Sequence, residues 1–275
     1  MRKVVLITGC NSPAGIGFNT AHQLAREGHI VYATVRDESK SHELRKSVEE
    51  DERIHIKYLD LLNGEMIASV VQETIEEQGR IDVLVNNAGY GLIGLVEEVS
   101  IEQAKREYDV NVFAAVRLIQ EVLPHMRKEK SGHIINVSSI FCAGMNIAYG
   151  GFYLGTKAAL EKISEALALE IAQFNIKVTN FQPGPVRTNL SMEYGDKKVE
   201  GEVYKGTFEA QKEYLLKNVG YEMPEETANA ISNIVRSNNP SLYEHSVDHT
   251  VKYVSRFKKD ITGMSEFKHL SNIDD

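Results

Sequence analysis

The chain has 275 residues, of which 42% are hydrophobic and 25% are charged, so it can bury a sizeable core. Its net charge of −8 argues against nucleic acid as a partner, because phosphate binding needs a basic face. Two cysteines do not suggest a disulfide framework, so we expect a cytoplasmic protein. The chain shows no transmembrane span, and His245 and His249 lack a third ligand, so we expect no metal.

Short apolar runs alternate with longer amphipathic stretches through most of the chain. The predicted strands are 3–8, 30–35, 54–59, 81–86, 132–138 and 176–181. The predicted helices between them are 16–27, 39–50, 64–78, 101–128 and 153–174. Nearly continuous apolar runs are typical of strands that are buried on both faces. The alternation therefore predicts an α/β fold, with a doubly wound parallel sheet (Rossmann fold) in three layers and a single domain over 1–275.

The pattern weakens after Thr188. Residues 189–220 mix glycine, charge and tyrosine without a clear strand, although 207–219 has the spacing of an amphipathic helix. A helix at 225–236 follows, then a turn with a short extended piece, and a last amphipathic helix from about 249.

The segment TGCNSPAGIG at 8–17 joins the first strand to the first helix. Glycines at such a turn let the backbone approach a pyrophosphate, and a helix N-terminus favours its negative charge. The position of this loop, after the first strand of a βαβ pattern, predicts a dinucleotide site.

The segment YLGTK places Tyr153 and Lys157 on one helix face, with Cβ atoms about 6 Å apart. A free tyrosine titrates near pH 10, and bringing its pKa to neutrality needs about 4 kcal/mol. One ammonium at about 4 Å, with an effective dielectric near 20, supplies roughly that much. The spacing therefore indicates a general acid/base, whereas Tyr149 has no lysine four residues on.

The glycine loop and the Tyr153–Lys157 spacing, together with four further motifs, resemble those of the classical short-chain dehydrogenase/reductase family. The resemblance covers about residues 3–188. These motifs are NNAG (86–89), DVNVFA around Asn111, INVSS (135–139) and PGPVRT (183–188). Five residues separate Gly9 from Gly15 where the family usually has three, which leaves open whether Asn11, Ser12 or Pro13 meets the phosphates. The longer loop is similar to the enoyl-reductase branch, but the tyrosine-to-lysine spacing favours the classical branch.

The resemblance implies a catalytic set of Asn111, Ser139, Tyr153 and Lys157. Ser139 would hold the substrate carbonyl, and Tyr153 would give its proton to the alkoxide. Lys157 would lower the tyrosine pKa and bind the nicotinamide ribose, and Asn111 would hold a water that links Lys157 to solvent. The cofactor-binding residues that the resemblance implies are Gly9, Asn11, Ser12, Gly15, Ile16, Gly17, Arg36, Asp60, Leu61, Asn87, Ala88, Gly89, Tyr153, Lys157, Pro183, Gly184, Val186 and Thr188.

The end of the second strand indicates which cofactor is used. An acid there selects NAD by binding the ribose 2′-hydroxyl, but Val35 offers no carboxylate. Arg36 can pair with a 2′-phosphate, and Asp37 is the competing NAD-type acid. We therefore expect NADP(H), with NAD(H) as the alternative, and we expect Val35→Asp to shift the preference toward NAD(H).

Within the family, the motifs look most like the 17-beta-hydroxysteroid and retinol dehydrogenase branch, which implies a carbonyl reductase or alcohol dehydrogenase. The alternatives are a non-catalytic nucleotide-binding sensor or scaffold, and an enoyl-reductase-like activity. A substrate lid is expected at 189–220. The residues expected near the pocket are apolar and are Leu92, Ile93, Ile140, Phe141 and Met145, which favours an apolar ketone, aldehyde or secondary alcohol.

Two further expectations concern assembly and a thiol. Family members commonly pair through the helices that correspond to 101–128 and 153–174, and the second is apolar over a wide arc. We therefore expect a homodimer or homotetramer. Cys142 either faces the substrate or is a small buried thiol.

Overall fold

The computed structural model describes residues 1–48, 52–143, 147–195, 221–247, 251, 252 and 255. Its parallel strands are β1 (Val4–Ile7), β2 (Ile30–Val35), β3 (Ile54–Tyr58), β4 (Val83–Asn86), β6 (Gly132–Val137), β7 (Ile176–Gln182) and β9 (Tyr243–His245). They form one seven-stranded sheet in the order β3-β2-β1-β4-β6-β7-β9. All six predicted strands are confirmed, and β9 is the short extended piece near the end, now paired in parallel with β7.

Helices cover both faces of this sheet. They are α1 (Ile16–Arg26), α2 (His42–Ser47), α3 (Gly64–Gln78), α4 (Ile101–Tyr108), α5 (Ala114–Glu129), α6 (Gly151–Ile171) and α7 (Pro224–Arg236). Buried residues of α1 and α7 pack on one face of the sheet, and those of α3, α5 and α6 pack on the other. The predicted three-layer α/β fold is therefore confirmed.

Helix ends follow local sequence signals. Asn63 accepts hydrogen bonds from the backbone N–H groups of Glu65 and Met66 at the start of α3, and the helix ends at Gly79 with φ 77°. Ser100 and Gln103 form a capping box at the start of α4. The predicted helix 39–50 is shorter in the structure, because a 3₁₀ turn at Glu38–Lys40 precedes α2.

The predicted helix 101–128 is not regular. A π-helical turn at Asp109–Phe113 separates α4 from α5 and contains Asn111, which is buried. Such turns insert one extra residue into a helix and are frequent at functional sites. Residue spacing alone did not predict this break, since the apolar pattern continues on both sides of it.

A second, small sheet was not predicted. It pairs β5 (Gly91–Ile93) with β8 (Met192–Tyr194) in parallel, so that Gly91 faces Met192 and Ile93 faces Tyr194. The sheet connects the segment after β4 with the start of the expected lid. The rest of that lid, including the predicted helix 207–219, lies outside the described residues.

None of the described helices is long and apolar enough to cross a membrane. Among the described residues, no group of three or more histidine, cysteine or acidic side chains could hold a metal ion, and His249 lies outside them.

Candidate active site

The site lies at the carboxyl ends of the sheet strands, where the chain order reverses between β1 and β4. Ligands bind at such switch points in open α/β sheets. A cavity of about 700 Å³ opens there. The predicted site residues that line it are Gly9, Asn11, Ser12, Gly15, Ile16, Arg36, Asp60, Leu61, Asn87, Ala88, Gly89, Ser139, Tyr153, Lys157, Pro183, Gly184, Val186 and Thr188. Gly17 and Asn111 are buried beside it and are not lining residues.

Two glycines let the first loop pack closely against the end of β4. Gly9 has φ 76°, and a Cβ atom there would lie 2.9 Å from Ala88 Cα. A Cβ atom on Gly17 would lie 2.6 Å from both Asn87 Nδ2 and the Gly9 carbonyl oxygen. Neither position tolerates a side chain, so the backbone of this loop is pressed against NNAG.

Hydrogen bonds fix the same junction. The Thr8 hydroxyl accepts from the backbone N–H groups of Asn87 and Ala88 at 3.0 and 2.9 Å. The side-chain amide of Asn87 donates to the Thr8 carbonyl oxygen at 2.7 Å. NNAG therefore sets the position of the glycine loop.

The long glycine loop turns before α1 and leaves the helix N-terminus open. Gly15 donates its N–H to the Ser12 carbonyl oxygen at 2.8 Å, and the Asn19 side chain donates to the Pro13 carbonyl oxygen at 2.7 Å. Gly15 is the N-cap of α1 and provides no side-chain cap, so the first N–H groups can meet an anion. Of the three residues left open by the sequence, Asn11 and Ser12 line the cavity and Pro13 does not. This cradle fits the pyrophosphate of a dinucleotide.

The far end of the cavity carries Arg36 but not Asp37 among its lining residues. The Asp37 carboxylate instead accepts a hydrogen bond from Ser39, which lowers the pKa of Asp37. Val35 is 1% exposed and packs in the core on that face of the sheet. Val35→Asp would introduce a carboxylate next to these apolar side chains at the end of β2, and its effect on the choice of cofactor stays a prediction.

Three of the four predicted catalytic side chains meet at the other end. Ser139 follows β6 and is buried, while Tyr153 and Lys157 lie on the first turns of α6. The Lys157 ammonium donates to the Val137 carbonyl oxygen at 2.9 Å and lies 5.8 Å from the centre of the Tyr153 ring. Helix α6 therefore brings the phenol and the ammonium to the cavity that Ser139 lines from the end of β6.

Burial dominates the electrostatics of this pair. It raises the pKa of Tyr153 and lowers the pKa of Lys157, because each charged form loses contact with water. The direction for Tyr153 is opposite to the expected lowering by Lys157. A raised pKa favours the protonated phenol, which is the form that a proton donor needs.

The fourth predicted residue, Asn111, connects elements behind the cavity. Its amide donates to the Tyr90 carbonyl oxygen at 2.9 Å and to the Thr156 hydroxyl at 3.1 Å, and it accepts from the Tyr90 N–H at 3.1 Å. A Cβ atom on Gly89 would lie 2.9 Å from Asn111 Oδ1. Asn111 thus ties the segment after NNAG to α6, and its water-holding role stays a prediction.

A short chain dehydrogenase family model matches residues 3–199. The chain belongs to this family. A 3-ketodihydrosphingosine reductase from Bacteroides thetaiotaomicron is 41% identical over 69% of the chain and 66% of that protein, just under two thirds of its length. Human retinol dehydrogenase 8 is 34% identical over 87% of the chain and 80% of that protein.

Solved structures agree with this assignment. A short-chain dehydrogenase from Streptomyces avermitilis superposes with a TM-score of 0.81, at 28% identity, over 100% of the chain and 98% of that structure. The structure described as ElxO with NADP bound superposes with a TM-score of 0.75, at 25% identity, over 92% of the chain and 100% of that structure. The chain therefore has the family and the fold of the short-chain oxidoreductases.

In this short-chain dehydrogenase, an unpredicted residue anchors the segment PGPVRT. The buried carboxylate of Glu222 accepts from the Gly184 N–H at 2.9 Å and from the Thr227 hydroxyl at 3.1 Å. Its backbone also pairs with Pro185 and Arg187. Nothing in the sequence around Glu222 marks it, because its partners lie about forty residues earlier and on α7.

A second unpredicted carboxylate, Glu161, supports the strand end that carries Ser139. It accepts hydrogen bonds from the Ser138 hydroxyl and from the Gln182 amide, the latter at 2.8 Å. Burial raises its pKa. Glu161 lies one turn after Lys157 on α6, and that spacing was the available signal.

The substrate end of the dehydrogenase only partly matches expectation. Ile93 and Phe141 line the cavity, but Leu92 and Ile140 are turned into the core, and Met145 lies outside the described residues. The further apolar lining residues include Val110, Ile147, Pro185, Leu190 and Met192. Two charged residues, Arg106 and Glu193, also line this part of the cavity. The prediction of a uniformly apolar wall is therefore wrong.

Two polar candidates lie outside the cavity lining. Cys142 is half-buried, and burial raises the pKa of its thiol to about 12, which favours the buried thiol over a side chain that faces the substrate. Tyr149 adopts φ 66°, and its carbonyl oxygen accepts from the Gly94 N–H.

Proposed function

We propose that this protein transfers hydride between NADP(H) and the carbonyl or hydroxyl group of an apolar ketone or secondary alcohol. One observation carries the proposal: a single cavity has the glycine loop and Arg36 at one end, and Ser139, Tyr153 and Lys157 at the other. A nucleotide-binding sensor would need the first group only.

The cofactor proposal rests on charge and close packing. The glycine loop and the N-terminus of α1 would hold the pyrophosphate, and Asp60 and Leu61 would hold the adenine end. Arg36 lines the cavity and Asp37 is turned away toward Ser39, which favours a 2′-phosphate over a 2′-hydroxyl. When bound, the reduced nicotinamide supplies the hydride.

The chemistry of the chain's own residues follows from their surroundings. Ser139 would donate a hydrogen bond to the substrate carbonyl oxygen and polarise it. Tyr153, held protonated by burial, would give its proton to the oxygen as negative charge develops there. Lys157 carries its ammonium on the same helix face and would stabilise the phenolate that results.

The substrate proposal rests on the apolar part of the wall. Burying an apolar ligand is worth roughly 25 cal/mol per Å², so larger apolar substrates should bind more tightly. The names of two relatives, a 3-ketodihydrosphingosine reductase and a retinol dehydrogenase, both specify lipid substrates and support the same class. Arg106 and Glu193 also line the cavity and could contact a polar group on such a substrate.

The test is NADPH oxidation, followed by absorbance, with a panel of ketones of increasing chain length or ring count. We expect kcat/KM to rise along the series and to stay low for sugars and hydroxy acids. Enoyl substrates in the same panel test the reductase alternative. NADPH binding without turnover of any panel member would favour the sensor, and highest activity on a small polar carbonyl would contradict the apolar assignment.

A homodimer or homotetramer remains part of the proposal. On α6, Leu160, Leu167 and Ile171 are buried, whereas Ile163 and Leu169 are exposed, Leu169 to 83%. These two side chains lie on different sides of the helix, and each is an exposed apolar position that a second copy could cover.

A further inference from the structure

A buried carboxylate beside the catalytic residues has no role in the chemistry described so far. Glu107, on the last turn of α4, is 0% exposed. One oxygen accepts a hydrogen bond from the Leu92 N–H at 2.8 Å. The other oxygen is buried and has no hydrogen-bond partner within the described parts of the chain.

On the side of β5 that faces away from β8, Glu107 accepts the hydrogen bond that a neighbouring strand would otherwise accept from the Leu92 N–H. In β5, Gly91 donates to the Ser191 carbonyl oxygen and Ile93 accepts from the Gly195 N–H, so these two residues face β8. The N–H of Leu92 therefore points away from β8, toward α4. Glu107 satisfies it there and holds one side of the small sheet that borders the cavity.

Glu107 acts together with Asn111, one turn later. Asn111 pairs with the N–H and the carbonyl oxygen of Tyr90, and Glu107 pairs with the N–H of Leu92. The two side chains thus fix three backbone groups of the segment that leads from NNAG into β5. This explains why a polar pair occurs on the buried side of α4 and of the π turn.

The carboxylate of Glu107 is also electrostatically coupled to the catalytic pair. The Lys157 ammonium and Asn111 Oδ1, one turn after Glu107, lie 3.7 and 2.9 Å from the position that a Cβ atom on Gly89 would take. Burial raises the pKa of Glu107 to about 7, while the Leu92 N–H and the Lys157 ammonium oppose that rise and Glu193 adds to it. Glu107 in turn raises the pKa of Lys157, as Cys142 and Glu161 also do. Glu107 also raises the pKa of Tyr153. It raises the pKa of Tyr90 as well, as Glu193 does, whereas Arg106 lowers it.

We propose that Glu107 is a positioning residue for the reaction, which holds β5 through the hydrogen bond to Leu92 and, through its buried negative charge, favours the ammonium form of Lys157. This inference rests on the proposed function, since it assigns Lys157 its role there. The hydrogen bond and the charge make separable contributions, because an amide keeps the first and removes the second.

The test compares Glu107→Gln and Glu107→Leu with Glu102→Gln, which removes one charge from an exposed position of the same helix. Wild-type kcat should fall below about pH 7, as Glu107 is protonated, and again at high pH, as Lys157 loses its proton. Glu107→Gln should abolish the first fall and move the second about one pH unit lower. Its KM should stay within about twofold, because the amide oxygen still accepts from Leu92.

Glu107→Leu should show the same altered pH profile and, in addition, a KM raised about tenfold, because the Leu92 N–H is left buried and unpaired. Glu102→Gln should match the wild type. A Glu107→Gln profile that superimposes on the wild-type profile would overturn the proposal, and so would variants that change KM alone.

A second measurement does not depend on turnover. Urea unfolding of the wild type, Glu107→Gln, Lys157→Met and the double variant at pH 8 gives the coupling between the two side chains. We expect the unfolding equilibrium constants to depart from additivity by about fivefold or more. If no carbonyl is reduced but this coupling is present, the proposed reaction fails and the interaction between Glu107 and Lys157 stands. If the effects of the two substitutions on the unfolding equilibrium simply add, that interaction is overturned.

Discussion

The preference for NADP(H) can be tested at Arg36. This side chain lies just after β2, is exposed, and lines the cavity opposite the catalytic residues. A charge-assisted hydrogen bond is worth roughly 1.5–3 kcal/mol when shielded from water and less when exposed. Because Arg36 is exposed, we take the lower end, which corresponds to about a tenfold change in affinity.

Arg36→Ala should therefore weaken NADPH binding about tenfold and leave NADH binding within about twofold. The assay is a fluorescence titration of each variant with both cofactors at low salt. The NADPH difference should shrink as salt is raised, since the Debye length falls from about 10 Å at 0.1 M to about 3 Å at 1 M.

Lys40→Ala is the matched control, because Lys40 is an exposed cation in the following 3₁₀ turn and does not line the cavity. It should bind NADPH almost as the wild type does. Equal losses for NADPH and NADH in Arg36→Ala, or an equal NADPH loss in Lys40→Ala, would refute a 2′-phosphate contact. Tighter wild-type binding of NADH would refute the preference itself.

Three other predictions concern the loop, the core and the assembly. Gly17→Ala places a Cβ atom 2.6 Å from the Gly9 carbonyl oxygen, and overpacking costs of about 1–3 kcal/mol imply that NADPH binding weakens at least about fivefold. Gly64→Ala, whose Cβ atom meets nothing within 4 Å, should bind NADPH as the wild type does, and normal binding by Gly17→Ala would contradict the close packing of the glycine loop. Burial lowers the pKa of His133 to about 3. As pH falls, the histidine of the unfolded chain therefore takes up a proton before that of the folded chain does. The free energy of unfolding should fall by about 2 kcal/mol between pH 7 and pH 5. His133→Asn should lose that part of the pH dependence in urea unfolding, and an unchanged slope would contradict the assignment. Light scattering should give a multiple of 30.8 kDa, and a mass of one chain at micromolar concentration would refute the dimer or tetramer.

The sequence predicted the sheet well because each buried strand is a self-contained apolar run. The motifs NNAG, INVSS and PGPVRT came from the family resemblance, and the structure places each of them at the carboxyl end of one of these strands. The pairing of β5 with β8 could not be predicted, because three-residue strands that lie about a hundred residues apart have no local pattern.

Burial within the site was the least predictable feature. Glu107 is surrounded in sequence by Lys105, Arg106 and Asp109, which gives it the pattern of a solvated helix residue. It is buried only because β5 packs on that side of α4. Likewise Leu92 and Ile93 are equally apolar, and the alternation of side chains along β5 sends one into the core and the other toward the cavity.

The direction of the Tyr153 pKa also depended on the fold. The helical spacing correctly put Tyr153 and Lys157 on one face, but distance alone favoured a lowered tyrosine pKa. The ammonium instead donates to the Val137 carbonyl oxygen, and burial is the largest influence on both side chains, raising the pKa of Tyr153 and lowering that of Lys157.

The central claim is that Tyr153 is the acid of the reaction, and the most direct test is the turnover of Tyr153→Phe with the most active ketone of the panel. We expect kcat to fall at least about a hundredfold, the usual worth of a positioned acid, while NADPH affinity stays within about twofold. Tyr149→Phe, which changes a neighbouring tyrosine that does not line the cavity, should keep near-normal turnover. A Tyr153→Phe variant that binds NADPH and retains more than about a tenth of wild-type kcat would contradict the account.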